Sequence, residues 1–576
     1  MSARTFIEER RPRVARWLAE PMLRNKAVFI RVALAAVMIN LFAYVVSLFT
    51  LVVYDRVVPN LAFDSLTVLA IGLGFVLVFD FVLRILRAYF IDIAGADMDR
   101  EIGAAFFDKI VEIRLAARRG STGQLAGLMR ELETLRDFFA SATMISIVDV
   151  PFVILTLIFI AMIGSWVVLV PLVLIPITIA AGLFSQPALD RLSARTMESG
   201  LNKQTVLVEM IGAMEMVKTA GAQDLLRKRW LSAVESQSSA SVRQRLVSNI
   251  AVTVAASASS LSYAGVVIVG VFLIASRDIS MGGLIAASIL SSRAIQPLGQ
   301  IASMLSRMAA TRIAYRQLDR LMNDSVDSVG EGALRPSELQ GRIDLRGVGF
   351  RYPGAPERSL DNVNLTIEPG EKVGIIGRVG SGKSTVTRLM LGLYEPEEGV
   401  VLLDGTDVRQ LDPVNMRQKI GTALQEPVLL SGSVRENIVL DRPYVDDDEM
   451  LRASEVAGAH AFMGRIPNGY DLMLLDRGEG LSGGQRQAIS LARALAGKPK
   501  ILIFDEPTSA MDAQSEQQLI ERLKPEVADR TLVIVSHRIN LLQLVTRLVV
   551  IEGGKIVQDG PRDQVLQALQ GPRKAA

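Results

Sequence analysis

The sequence predicts a two-part chain: an all-α domain of six membrane-crossing helices, followed by an α/β domain built around a phosphate-binding loop. Three observations carry this. Long apolar runs fill the first roughly 306 residues and no others. Short β-branched runs then alternate with charged helical stretches, the pattern of a parallel sheet covered by helices. A glycine-rich loop, Gly377–Ser384, joins one of those strands to a helix.

Half of the 576 residues are hydrophobic and the net charge is +3, so no basic field calls for nucleic acid as a partner. Cysteine is absent, which excludes disulfides, thiolate metal sites and a cysteine nucleophile. The stretch 1–27 is polar and arginine-rich, unlike a cleavable signal peptide, and reads as a cytoplasmic leader.

Six segments are long and apolar enough to cross a bilayer: Val28–Val53, Leu66–Phe90, Ala140–Ile163, Trp166–Phe184, Ile250–Ala275 and Met281–Met304. Gly164 and Ser165 form a tight turn between the third and fourth. The connections Tyr54–Ser65 and Ser276–Ser280 carry one arginine each, whereas Ile91–Phe139 carries seven Lys or Arg and Ser185–Asn249 carries nine. The positive-inside rule puts the long basic loops, both termini and everything after the sixth span in the cytoplasm. The long loops have helical patterning and extend the membrane helices. Segments around Gly120–Arg136 and Gly212–Gln223 are expected to turn near a cytoplasmic partner; the plainer alternative is a pair of solvated helical hairpins.

Asp80, Arg84 and Asp149 lie inside spans, where charge is costly. Counted from the outer ends of their spans, both acids fall roughly 21 Å down. Two readings stay open: a polar lining of a transport path, or a buried structural ion pair. The second favours an Arg84–Asp149 pair, with Asp80 bonded within its own helix or to Arg84 as well.

Asn323–Gln340, rich in Ser, Gly and Asp, is a linker. The domain order is therefore a leader at 1–27, a membrane domain at 28–322, a linker at 323–340 and a second domain at 341–576, whose strands begin with Arg342–Phe350, Val363–Ile367, Lys372–Ile376 and Gly399–Leu403.

The loop Gly377-Arg378-Val379-Gly380-Ser381-Gly382-Lys383-Ser384 fits G-x-x-x-x-G-K-[ST], follows an apolar strand and opens a helix at Thr385. Gly377, Gly380 and Gly382 let backbone amides, including that of Ser381, curl around phosphates at a helix N-terminus. Lys383 reaches the β- and γ-phosphates of a nucleotide, and the Ser384 hydroxyl ligates Mg²⁺. A buried strand, Ile501–Phe504, ends in Asp505 and Glu506. Asp505 suits the Mg²⁺ shell; Glu506, one residue on, is placed to polarise an attacking water.

Leu481-Ser482-Gly483-Gly484-Gln485 resembles the signature of the ATP-binding cassette (ABC) family. The resemblance covers about Gly341–Gln570 and implies ATP as the nucleotide. It further implies a type I exporter fold, domain-swapped with a second copy, in which Ser482, Gly483, Gly484 and Gln485 act on nucleotide held by the other subunit. By the same resemblance Tyr352 stacks on adenine and Gln425 senses Mg²⁺ and couples to the membrane domain. Ser509–Asp512 meets its twin across the dimer, with Asp512 in the nucleotide site, and His537 contacts the γ-phosphate. Asp476-Arg477-Gly478 stands where exporters often carry Gly-Glu-Arg-Gly. His460 has no motif around it and reads as structural. The helical subdomain is expected near Glu426–Leu495.

Membrane segments first and cassette second resemble exporters. Val53–Pro59, Phe79–Arg84, Leu135–Phe139 and Asp149–Phe152 are similar to the permease-ATPases of bacterial type I secretion systems. That implies a multi-pass protein of the bacterial inner membrane that moves an unfolded polypeptide outward by alternating access. Its expected partners are a membrane-fusion protein and an outer-membrane channel. The alternative cargo is a lipid or small amphiphile. With about 27 residues before the first span and no cysteine, no N-terminal peptidase-like domain is expected.

Overall fold

The computed structural model describes residues 15–117, 122–139, 142–324, 326–327 and 332–570. Gly120, Ala140 and parts of the leader and linker lie outside the described residues, as do the side chains of Asp137, Phe139 and Asp476. Two compact units divide the chain: Met1–Val111 with Arg119–Asp324, and Ser325–Ala576 with the segment Glu112–Arg118.

The first unit contains six long helices among the described residues: Lys26–Val52, Phe63–Glu112, Ala142–Gly164, Leu169–Gly212, Gln223–Ala275 and Met281–Met322. Four helical stretches meet the length and hydropathy of a membrane span outright, and one of them, Asp149–Gly212, folds back at Gly164 and Ser165. Small residues let the helices approach closely. A Cβ on Gly270 would meet Leu284 at 2.1 Å and one on Gly265 would meet Val170 at 2.7 Å. Ala286, Ala287 and Ala294 of the sixth helix are buried, and Ser262 and Ser291 share a 2.6 Å hydrogen bond between the fifth and sixth helices.

The Val53–Pro59 motif has a structural use. The first helix loosens into a π turn at Val53–Val57, which turns Asp55 toward the start of the sixth helix. Asp55 accepts from the Gly282 amide at 2.8 Å and from the Ser280 hydroxyl at 2.5 Å. Ser280 itself caps that helix through Gly283 N.

Two expectations for this unit are corrected. The residues from Thr122 to Arg136 do not turn; they belong to one helix, Thr122–Phe139, which holds no proline and whose interior glycine, Gly127, packs closely against Leu201. The chain reverses instead at Ile113–Ala117. That segment groups with the second unit, where Ile113 bridges Val326 and Arg114 pairs with Glu395 at 2.6 Å. The break near Gly212–Gln223 is present, between Leu169–Gly212, the short helix Met214–Thr219 and Gln223–Ala275. Arg84 does not pair with Asp149 either. Its nearest anion is one turn away on its own helix, Asp80 at 2.7 Å, while Asp149 accepts from Asn40 of the first helix at 2.7 Å. A carboxylate four residues earlier is within reach without any interhelical adjustment.

The second unit has twelve strands among the described residues: β1 (Ile343–Phe350), β2 (Leu360–Ile367), β3 (Lys372–Ile376), β4 (Glu398–Leu403), β5 (Thr406–Asp407), β6 (Ile420–Ala423), β7 (Gly432–Ser433), β8 (Met473–Leu474), β9 (Ile501–Asp505), β10 (Thr531–Val535), β11 (Arg547–Glu552) and β12 (Lys555–Pro561). An antiparallel sheet runs β2-β1-β4-β5. The central sheet runs β12-β11-β3-β10-β9-β6, parallel except at the β11–β12 edge. Every residue of β9 and β10 is buried, as central parallel strands require. Helices Val434–Val439, Asp447–Ala457, His460–Met463 and Gly483–Leu495 form the helical part between β6 and β9.

Candidate nucleotide site

Strand order builds the site. In register, β10 sets Val535 beside Ile375 of β3 and beside Asp505 of β9. The loop after β3, the residues after β10 and the acids ending β9 therefore leave the sheet side by side at its carboxyl edge, where ligands of parallel α/β sheets bind.

The loop after β3 needs its glycines. Gly377 has φ +155° and a Cβ there would meet Ile551 O at 2.1 Å; Gly382 has φ +103° and would meet Ser359 O at 2.6 Å. The helix Lys383–Met390 starts immediately after. Lys383 is 6% exposed and donates to the carbonyls of Gly377 and Arg378 at 2.9 and 2.7 Å. Burial pushes its ammonium below the usual lysine range, against the pull of Glu506 and Asp505. Thr385 is buried and shares a 3.1 Å hydrogen bond with Tyr352. Tyr352 packs edge-on against Phe350 and Tyr394, and the Arg388 guanidinium lies 5.9 Å from its ring centroid and bonds its hydroxyl.

Asp505 is 4% exposed, and its Oδ1 is buried without a hydrogen-bond partner; Ser381 Oγ is in the same condition. Burial pushes the Asp505 carboxyl up, opposed by the Ser384 hydroxyl and by Arg388 and Lys383. Glu506 stands at φ +50°, a strained position for a non-glycine residue. Its carboxylate accepts from the His537 amide at 3.0 Å, with Ser536 Oγ at 3.4 Å and the His537 ring at 3.6 Å. His537 is 49% exposed along its side chain. Gln425, exposed, follows β6, the strand beside β9.

Ser482 and Gln485 form a reciprocal capping box at the start of Gly483–Leu495. Gly483 and Gly484 abut Ala510, so side chains there would press on the loop that follows Glu506. Asp512 is exposed and is the N-cap of Ala513–Glu526. It accepts from Ser515 N at 2.8 Å and Ser515 Oγ at 3.0 Å, and the Ser515 amide holds its carboxyl below the usual range. Its contacts are thus to its own helix. His460 bonds Tyr470 at 3.0 Å, a structural contact.

Several organising residues escape motif reading. Gln487, two residues past the signature, donates to Ser509 Oγ at 2.6 Å and to Glu506 O, and accepts from Ala510 N. Arg538 donates to Met511 O and Ser509 O and pairs with Glu516 at 2.6 Å. Both hold the Ser509–Asp512 loop to its neighbours. The signal in sequence was only adjacency to Gln485 and His537.

A phosphate-loop ATPase carrying a helix-capping Ser-Gly-Gly-Gln motif, in series with a helical membrane unit, defines the class of ATP-driven half-transporters. Two family models match the chain: the ABC transporter transmembrane region over residues 29–298 and the ABC transporter model over 360–509. The leukotoxin translocation ATP-binding protein of Mannheimia glucosida and the exotoxin translocation ATP-binding protein of Pasteurella aerogenes are each 33% identical over 564 residues, 96% of this chain and 78% of theirs. The solved structure of a bacterial Atm1-family ABC exporter with ATP bound superposes with a TM-score of 0.83 at 21% identity, over 96% of this chain and all of that one. The chain belongs to the ABC transporter family. It is a multi-pass membrane protein that binds and hydrolyses ATP to drive export.

Proposed function

We propose that this chain works as a homodimer in a bacterial inner membrane and exports an unfolded polypeptide, completed by a membrane-fusion protein and an outer-membrane channel. One observation carries the reading. Similarity to toxin-translocating relatives runs through 96% of the chain, so it includes the membrane unit that meets the cargo as well as the ATPase.

In this reading the amides of Gly380, Ser381 and Gly382 and the Lys383 ammonium hold the phosphates, and Tyr352 meets the adenine. Mg²⁺ fits the donors present: a buried Asp505 oxygen with no other partner, the Ser384 hydroxyl beside it, and Gln425. When bound it offsets charge on the phosphate oxygens. Glu506, steadied by the His537 amide, orients and polarises the attacking water, and His537 meets the γ-phosphate. Ser482–Gln485 offer a second helix N-terminus to nucleotide on the partner subunit, with Asp512 shaping the loop between the two subunits. ATP closes the paired cassettes and hydrolysis parts them, which alternates access to the membrane path.

In inverted proteoliposomes, MgATP is expected to render an unfolded polypeptide resistant to added protease, and Glu506→Gln to abolish this. Uptake of lipid or small amphiphiles in place of polypeptide would overturn the cargo. In a linked dimer, Ser482→Arg in one half is expected to disable the phosphate loop of the other. Loss at the loop of the same half instead would remove the dimer arrangement.

A further inference from the structure

One cavity in the membrane unit draws charged groups from several of its helices. A space of about 430 Å³ is lined by Asn40 of the first helix, Arg84 and Arg87 of the second, Asp149 of the third, and Arg293 and Gln296 of the sixth. Four different helices thus send polar groups to one place. Measured along the helix from the outer end of its span, Arg293 is roughly 18 Å down and Arg87 roughly 31 Å. The cavity therefore lies in the cytoplasmic half of the bilayer, where cargo from the cytoplasm arrives first.

The charges do not balance. Arg84 is committed to Asp80 at 2.7 Å, and Asp149 accepts from Asn40 at 2.7 Å. Arg87 and Arg293 make no hydrogen bond and no ion pair among the described residues. Asp149 and Asp80 pull on Arg87, while the foremost charge acting on Arg293 is the like charge of Arg84. Three guanidiniums against two carboxylates leave one positive charge, and two five-donor groups stand with their donors unspent. Such groups at membrane depth are costly unless they meet an anion. Guanidinium matches a carboxylate in a planar, bidentate geometry.

We propose that Arg87 and Arg293 form a carboxylate-binding site for acidic side chains of the exported polypeptide, with Asp149 and Asn40 fixing the far wall. The inference rests on the polypeptide reading above and adds a preference to it. A single net charge shared between two guanidiniums holds an acidic residue without trapping it, since Asp80 and Asp149 compete for the same cations. Aspartate and glutamate along an extended chain would pass from one guanidinium to the next.

The test uses the full chain in nanodiscs of phosphatidylcholine and two labelled unfolded peptides, identical except that Asp in one replaces Asn in the other. Fluorescence anisotropy without ATP is expected to give about tenfold tighter binding of the Asp peptide. In Arg87→Gln/Arg293→Gln both peptides are expected to bind alike, at the level of the Asn peptide. Arg87→Lys/Arg293→Lys, which keeps the charges, is expected to retain a preference and so controls for folding. If the wild type binds both peptides equally, the carboxylate site is wrong and the polypeptide reading survives. If neither peptide binds, both fall. If the preference vanishes when phosphatidylglycerol replaces phosphatidylcholine, the guanidiniums hold lipid headgroups, and the proposal is overturned.

Discussion

Buried charge is handled in two ways in this molecule, and the division cuts across both units. Glu516 of the ATPase unit is 1% exposed and fully engaged: Arg538 at 2.6 Å, Thr508 at 2.8 Å and Asn540 at 3.1 Å all donate to it. Arg493, pushed down to about 10 by burial, donates to Asn437 O, Asn437 Oδ1 and Val428 O. In the membrane unit Asp55 is engaged in the same way by Gly282 and Ser280. Asp505 keeps a buried oxygen without a partner, and the half-buried Arg87 and Arg293 make no hydrogen bond or ion pair among the described residues. A charge whose bonds are complete holds the fold, and a charge left open awaits something that the chain does not supply. Substitutions can break or sharpen this division.

The largest effect is expected in turnover. Glu506→Gln retains an acceptor for the His537 amide but loses the charge that polarises water. Hydrolysis should fall by a factor on the order of 10²–10⁴ while MgATP still binds. A variant within a few-fold of wild type in a single-turnover assay would show that Glu506 is not the group that acts on water. Lys383→Ala should act earlier, weakening nucleotide binding itself.

Next comes a completed charge. Arg538→Leu strands the Glu516 carboxylate in a buried site and frees the carbonyls of Ser509 and Met511. A loss of about 3–5 kcal/mol is expected in urea unfolding of the nucleotide unit. Arg538→Leu/Glu516→Leu should cost clearly less than the sum of the single changes, because no charge is then stranded. Strict additivity would mean that the pair is not the source of the cost.

Asp55→Ala removes the acceptor for the Gly282 amide at the start of the sixth helix. A cap of this kind is worth about 1–2 kcal/mol. The loss should appear as a lower melting temperature of the membrane unit, with Asp55→Asn recovering most of it. If Asn and Ala behave alike, the contact is not a cap.

The phosphate loop, the signature and the acids after β9 were legible because their chemistry is contiguous: few alternatives fit G-x-x-x-x-G-K-S between a strand and a helix. The spans were legible because the bilayer demands length and apolarity. Partners across distance were not. Asp80, Arg84 and Asp149 could be picked out one by one as costly charges, yet Asn40 is what bonds Asp149, with Arg87 and Arg293 lining the same cavity, and nothing in the linear order names a residue of the first or sixth helix as the neighbour of one in the third. The helical turn also won over the interhelical pair, since Arg84 reaches Asp80 without any packing condition. Gln487 and Arg538 show the same limit: motif adjacency marked the Ser509–Asp512 loop, while hydrogen bonds that hold it come from residues more than twenty positions away.

The smallest effect carries the opposite sign. Without nucleotide, Asp505 is a buried carboxylate with one unpartnered oxygen, and burial raises its pKa above the ordinary value. A raised carboxyl pKa means that the folded state binds more protons than the unfolded one between the two values. Stability is therefore lost as pH climbs through that window, and the whole penalty is present at neutral pH. Asp505→Asn removes the charge and keeps an acceptor for Ser384. The nucleotide unit of the variant should melt about 2 °C higher at pH 7 by calorimetry without nucleotide, its transition recognised by its shift with MgATP in the wild type. The gap should close as pH falls toward the ordinary aspartate range, where the wild-type carboxyl is itself protonated. MgATP should then stabilise the variant far less than the wild type, because the open oxygen that it engages is gone. A variant that melts lower at pH 7 would place Asp505 among the completed charges, and the division between structural and open charge would lose its clearest case.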